Sequence, residues 1–234
     1  MSAVSEQVRT VIFAKAPQPG RVKTRLIPAL GAQGAALLAQ RMLRYTVQQA
    51  LAAALGPVEL CVTPHPRTPV WRPFRDLAWP LGWQGQGDGD LGDRLALAAA
   101  RTLAHGASVL LIGTDCPGLT AARLRDAAAQ LAAHDAVMVP SHDGGYVLLG
   151  LRRFSPQLFQ GIAWSTPQVA AQTQERLCQL GWTLARRPPL HDIDEPADLA
   201  ALPPDWSASS PGRHASIVFE YDHHASLATR VRHP

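Results

Sequence analysis

The sequence is short of lysine, cysteine and charge. Only two lysines, Lys15 and Lys23, stand among 22 basic residues in 234. The three cysteines, Cys61, Cys116 and Cys178, are far apart and odd in number. They form no C-x-x-C pair, which excludes a disulfide framework or a zinc knuckle. No apolar run reaches the roughly 18 residues of a membrane span. The first residues, MSAVSEQVRT, lack the basic and apolar regions of a secretory signal, so a reducing cytoplasm is the expected location. Charged residues make up only 17%, while 47% are hydrophobic. That balance excludes a disordered polyelectrolyte and provides for a sizeable core. The net charge is +4, but the arginines are scattered and no basic stripe interleaves with the six tryptophans. No nucleic-acid partner is therefore expected.

What is present is an alternation. Apolar, β-branched runs at Val8 to Ala14, Val58 to Val62, Ser108 to Ile112 and Ala136 to Val139 read as buried strands. Shorter strands are expected near Leu81 to Trp83 and near Thr183. Helical stretches lie between them: Gly34 to about Leu55, with Leu38, Met42 and Tyr45 on one face; an Ala/Leu-rich run to about His105; and Thr120, as N-cap, to Ala133. A further helix starts with Thr166 as N-cap and Pro167 as first residue and closes at Gly181, and a short one ends at Leu202. Residues 63 to 78, rich in Pro and Arg, read as irregular. This order predicts one α/β domain with a mostly parallel sheet and helices on both faces, over residues 1–203. Residues 204–234 read as a poorly ordered C-terminal tail, with a candidate edge strand at Ile217 to Tyr221.

Ligands of open α/β sheets lie at the carboxyl ends of strands. Four segments rich in chemistry fall there. The first, FAKAPQPGRVKTRL, contains both lysines, with Arg21, Arg25 and Gly20. Cations and a Gly/Pro loop suit a polyphosphate, and a retained lysine marks a need for a compact point charge. It is no Walker A loop, because Gly20 stands three residues before Lys23. The second is Asp115, after the strand SVLLI; a carboxylate there needs a partner, such as Mg²⁺ or Mn²⁺ bridging to phosphate. The third is HDGGY, where Asp143 is a candidate base or hydroxyl ligand and Gly144 and Gly145 permit close approach. The fourth carries Asp192 and Asp194. Strand-like alternation lets only one of them face the site, with Asp194 preferred for the metal and the other free to cap the next helix. Trp164 is a candidate for stacking on substrate. Gly87-x-Gly89-x-x-Gly92 matches a dinucleotide fingerprint, but Asp88, Asp90 and Asp93 would repel a pyrophosphate. Those acids, Asp90 first, suit a nucleobase, a ribose or a metal better.

Taken together, FAKAPQPGRVKTRL (13–26), GDLGDRL (89–95), GTDCPGL (113–119), DGGYVLLGL (143–151), WST (164–166) and DIDEPADL (192–199) resemble the rSAM/selenodomain-associated transferase 1 family. That family lies in the nucleotide-diphospho-sugar transferase superfamily and is similar to 2-phospholactate guanylyltransferases. The resemblance implies a GT-A, Rossmann-like fold. It implies a metal-dependent transferase, with a nucleotide or nucleotide-sugar and a small acceptor as partners. Lys23, Arg25 and Asp143 would be catalytic; Lys15, Gly20, Arg21, Lys23 and Asp90 would bind nucleotide; Gly144, Gly145 and Trp164 would bind substrate. Asp115 and Asp194 would hold Mg²⁺ or Mn²⁺, with Asp192 as alternative. GT-A glycosyltransferases carry Asp-x-Asp where this chain has Thr114-Asp115-Cys116, with one acid. That departure favours nucleotidyl transfer, whereas the family description favours glycosyl transfer. A non-catalytic nucleotide-binding protein is the third reading.

Overall fold

The computed structural model describes residues 7–206. Seven strands form one sheet: β1 (Val8–Lys15), β2 (Val58–Thr63), β3 (Leu81–Gly85), β4 (Ser108–Ile112), β5 (Ala136–Pro140), β6 (Tyr146–Leu151) and β7 (Leu184–Arg186). Their order is β3-β2-β1-β4-β6-β5-β7. All neighbours pair in parallel except β6, which runs antiparallel to both β4 and β5. The chain moves outward from β1 to β2 and β3, then returns to place β4 on the other side of β1. The crevice beside that reversal is where an open α/β sheet binds ligands.

Among the described residues, five α-helices accompany the sheet: α1 (Ile27–Ala53), α2 (Arg72–Arg75), α3 (Leu91–Leu103), α4 (Ala121–Gln130) and α5 (Val169–Gln179). Alternate strand residues feed two cores. Ile12, Leu60, Leu110 and Val137 pack with Leu43 and Val47 of α1 and Leu124 of α4. Val11, Val109, Leu111 and Met138 pack with Leu95 and Ala99 of α3 and Leu177 of α5. Both faces of the sheet are thus buried, which is why its strands read as continuous apolar runs.

The sequence-based boundaries need several corrections. Helix α1 begins at Ile27, because Pro28 suits a first turn; Gly31 (φ 70°) then breaks its regularity. Its buried stripe follows Leu43, Val47 and Ala50, so Leu38 and Tyr45 are only half-buried. Residues 63–78 are not wholly irregular: a 3-10 turn, Pro69–Trp71, leads into α2, and Trp71 is fully buried. Thr120 stands at the N-cap of α4 but makes no side-chain cap bond. Helix α5 starts at Val169 rather than Pro167; Thr166 Oγ1 instead donates to Ala163 O and accepts from Gln168 N. Gly181, at φ 66°, follows the end of α5 as expected. The strand β6 was not foreseen; a tight turn over Ser141–Gly145 returns the chain antiparallel to β5.

Residues 7–202 cluster as one compact unit, and the turn Pro204–Trp206 falls to a second. The tail beyond 206, with the suggested strand at 217–221, lies outside the described residues. Among the described residues, no helix is long and apolar enough to cross a membrane.

Candidate active site

A cleft of about 870 Å³ opens at the carboxyl ends of β1 and β4, in the crevice the topology marks. Lys15, Arg21, Lys23 and Arg25 line it from the first loop, and Asp115 from the loop after β4. Asp143 and Gly145 line it from the β5–β6 turn, Trp164 from the segment before α5, and Asp192 and Asp194 from the C-terminal segment. Residues separated by up to 179 positions in sequence therefore share one rim.

Backbone bonds hold these segments together. Leu190 N donates to Pro140 O, His142 N to Leu190 O, and Ile193 N to Asp115 O. The C-terminal segment is thereby laced along the ends of β5 and β4, bringing Asp192 and Asp194 beside Asp143 and Asp115. Residues 191–195 form no strand, so period-two alternation does not apply and both Asp192 and Asp194 face the cleft. Neither acid caps the 3-10 helix Pro196–Ala201. Glu195 and Asp198 form that capping box, and Asp198 Oδ2 accepts from the backbone N–H of Asp194 and Glu195.

Lys23 is the centre of the acidic side. Its Nζ donates to Ile193 O at 2.7 Å, lies 2.6 Å from Asp194 Oδ1, and lies 2.7 Å from Asp115 Oδ1. Its side chain is only 7% exposed, whereas those of Asp115 and Asp194 are 46% and 42% exposed. Burial alone would lower the lysine pKa, but the two carboxylates overcome that and hold it above its ordinary value. Lys23 also adopts a left-handed backbone conformation (φ 46°), uncommon for a residue with a Cβ. The sequence placed Lys23 among the phosphate-binding cations; the structure pairs it with both proposed metal ligands.

Other cations remain available to an anion. Lys15 and Arg21 form no ion pair with a described residue, and Arg25 approaches Glu195 only at 3.7 Å with both side chains exposed. Gly20 (φ 73°) serves the turn in which Arg21 N donates to Gln18 O, and does not line the cleft.

Asp143 Oδ1 accepts from Ser141 Oγ and from Gly145 N, which fixes its carboxylate at the turn. Asp192 has a pKa above the ordinary carboxylate value, because of burial first and then the nearby charge of Asp143, with smaller contributions from Asp194 and Asp115. Two facing carboxyls, one inclined to hold a proton, suit proton transfer. Gly144 does not line the cleft; at φ 92°, a Cβ there would meet Pro167 O at 2.1 Å, so packing requires the glycine. Trp164 is half-buried, with its indole against Gly92, where an added Cβ would meet Nε1 at 2.4 Å.

Asp90 is not on the cleft wall. It is the N-cap of α3, its Oδ1 accepting from Asp93 N at 2.9 Å, while Asp93 Oδ2 accepts from Asp90 N at 3.0 Å. Two of the three acids of the glycine-rich stretch, Asp90 and Asp93, thus form a capping box. Sequence reasoning missed Gln86 and Arg94, which do line the cleft. Gln86 Nε2 donates to Ala14 O and Cys61 O, tying β1 to β2, and its Oε1 accepts from Arg94. One glutamine, or one arginine among many, carries no signal until the fold places it.

A divalent metal fits this donor set. Two carboxylates from different segments already converge on one cation, the Lys23 ammonium, and both remain open to the cleft. Carboxylate oxygens suit Mg²⁺ or Mn²⁺. Among the described residues, no group of three or more His, Cys, Asp or Glu side chains could hold a metal ion, so its remaining positions would be left to water and substrate.

Comparison with known proteins gives the family and the fold. The family DUF2064, described as uncharacterised protein conserved in bacteria, matches residues 46–166. A structure from Desulfovibrio desulfuricans G20, provisionally named a nucleotide-diphospho-sugar transferase, is 30% identical, covering 87% of this chain and 89% of that one, with a TM-score of 0.77. CMP:2-keto-3-deoxy-manno-octonic acid synthetase complexed with CTP is 13% identical over 83% of this chain and 96% of that one, with a TM-score of 0.52. The 4-diphosphocytidyl-2C-methyl-D-erythritol synthase of Anaerococcus prevotii DSM 20548 is 9% identical over 84% and 96%, with a TM-score of 0.53. The last two share the fold, the Rossmann-like GT-A arrangement. No curated protein matches the sequence.

Proposed function

Because the chain belongs to DUF2064, and because its conjoined cations and carboxylates line one cleft, we propose that it is a metal-dependent transferase acting on a nucleotide substrate. Within that class we propose glycosyl transfer from a nucleotide-diphosphate sugar to a small acceptor. The 30% identity to the provisionally named nucleotide-diphospho-sugar transferase supports the substrate class. The motifs at 13–26, 89–95, 113–119, 143–151, 164–166 and 192–199 support placement with the rSAM/selenodomain-associated transferase 1 proteins.

The observation that carries this reading is that Lys15, Arg21 and Arg25 line one cleft together with Asp143 and Asp192. The cations bind the diphosphate and stabilise the charge it gains as the sugar C1–O bond breaks. Asp143 accepts the proton of the acceptor hydroxyl as its oxygen bonds to C1, and Asp192 stands beside it as the alternative base. Asp115 and Asp194, with Asp192 as alternative to Asp194, would hold Mg²⁺ or Mn²⁺, which when bound neutralises the leaving diphosphate. Trp164 and Gly145 form the wall against which the sugar or acceptor rests.

A second reading, nucleotidyl transfer from an NTP to a small phosphorylated substrate, is favoured by one feature. A single acid, Asp115, ends β4 and the second, Asp194, arrives from the C-terminal segment. A phosphate nucleophile is already ionised and needs no base.

A thermal-shift panel with Mg²⁺ or Mn²⁺ separates the readings. A ligand at 100 times its Kd adds about 2.7 kcal/mol. A metal-dependent shift is expected with one NDP-sugar, larger than with the matching NTP; the reverse order moves the assignment to nucleotidyl transfer. With the NDP-sugar found, Asp143→Asn is expected to lower kcat by about 10²-fold or more. Binding without turnover across an acceptor screen would leave a nucleotide-binding protein.

A further inference from the structure

The Lys23 ammonium occupies the point on which Asp115 and Asp194 converge. It uses three hydrogen-bond acceptors at 2.6–2.7 Å, two of them the carboxylate oxygens that face a common cation. Mg²⁺ binds carboxylate oxygen at about 2.0–2.1 Å. An ion taking the same two oxygens would lie against a buried ammonium, with repulsion and without room. For the ion to take those two oxygens, the ammonium has to leave.

The ammonium that leaves needs a new anion. Lys15 and Arg21 line the same cleft without an ion pair to any described residue, so their charges are free to receive an anion there. Lys23 lies on the same loop: it follows the turn that presents Arg21, and with its left-handed backbone it stands at the N-cap of the 3-10 turn Thr24–Leu26.

We propose that Lys23 and the divalent ion compete for Asp115 and Asp194, so that the site admits the ion together with a polyphosphate that receives the displaced ammonium. This rests on the reading of Asp115 and Asp194 as the ion's ligands. Lys23 then keeps free metal out of the empty cleft and couples metal to phosphate: each raises the affinity of the other, by the same factor. No covalent step is involved.

The test is calorimetry with Mg²⁺ alone on the wild type and on Lys23→Met, then with inorganic pyrophosphate added. The variant is expected to bind Mg²⁺ at least about tenfold more tightly than the wild type, as removing an internal competitor demands. Pyrophosphate is expected to tighten Mg²⁺ binding in the wild type and much less in the variant. Asp115→Asn added to Lys23→Met should abolish the gain. Equal or weaker Mg²⁺ binding in the variant, or none in either protein, overturns the proposal.

Should Lys23→Met fail to fold, the wild type decides. With ¹⁵N-lysine labelling only two side chains report, and Lys15→Arg identifies which is which. The buried Lys23 ammonium is expected to give a slowly exchanging signal that disappears on saturation with Mg²⁺ but not with Na⁺ at equal ionic strength. Persistence of that signal while calorimetry shows Mg²⁺ bound overturns the exchange. Tight NDP-sugar binding with equal Mg²⁺ affinities in the two proteins overturns the exchange alone. Mg²⁺ competition without any heat from pyrophosphate or NDP-sugars overturns the coupling and removes the transferase reading with it.

Discussion

At the scale of single residues, burial and pairing decide what each titratable group does. Lys23 is stabilised by two carboxylates that stay largely exposed, so the triad contributes about 1–2 kcal/mol rather than the 3–5 kcal/mol of a fully buried pair. Its pKa lies above the ordinary lysine value of 10.5. The folded state therefore holds this proton more firmly than the unfolded chain. The contribution is complete below 10.5 and is lost as pH rises through the higher folded value. Urea unfolding should show a constant difference between wild type and Lys23→Met at neutral pH, shrinking once pH exceeds about 10.5. The cysteines offer a cleaner contrast. Cys61 and Cys116 are buried, and burial pushes both thiols up to about 11, while Cys178 is exposed. Iodoacetamide near neutral pH should add one group per folded molecule, on Cys178, and three after denaturation, read by intact mass.

At the scale of elements, glycines and caps settle how the pieces meet. Gly92, in the first turn of α3, has Trp164 Nε1 at 2.4 Å and Phe159 O at 2.8 Å from where a Cβ would stand. Gly92→Ala should cost about 1–3 kcal/mol, seen as a lowered Tm, because the backbone carbonyl yields little. Asp90→Ala should cost about 1 kcal/mol and Asp90→Ser much less, since serine also caps. This element shows why the sequence was only partly legible. The stretch 87–95 announced itself as special, but its glycines and acids matched several motifs, and only the fold revealed a cap and an indole seat. The buried strands were legible because both faces of the sheet are covered. The strand β6 was not, because Tyr146–Leu151 follows β5 too closely for a parallel crossover and its turn resembled a ligand loop. The acids at 192 and 194 were misjudged for a similar reason: alternation governs strands, and 191–195 is not one.

At the scale of the whole molecule, the cleft draws on four stretches, among others, that local sequence leaves independent: the loop after β1, residues 113–116, the turn at 141–145 and residues 191–195. Their joint position was legible only because strand ends in an α/β sheet share an edge. Gln86, directly after β3, obeys that rule too, but a lone glutamine gave no reason to single it out before the fold showed it holding β1 and β2 together and Arg94 in place. A ligand touching all four stretches should protect them together. Hydrogen exchange with NDP-sugar and Mg²⁺ is expected to slow in all four; slowing in the β1 loop alone would mean the acids do not take part. The reversed strand β6 has a consequence of its own. Every other strand runs its carboxyl end to the edge where the cleft lies, whereas β6 brings its beginning there, through a hairpin rather than a helical crossover. A hairpin tip can lengthen or shorten without reordering the sheet. The wall bearing Asp143 is therefore the part of the molecule most open to redesign, and, on the glycosyl-transfer reading proposed above, new tips that keep Asp143 are the economical way to change the acceptor while leaving Lys15, Arg21 and Arg25 untouched.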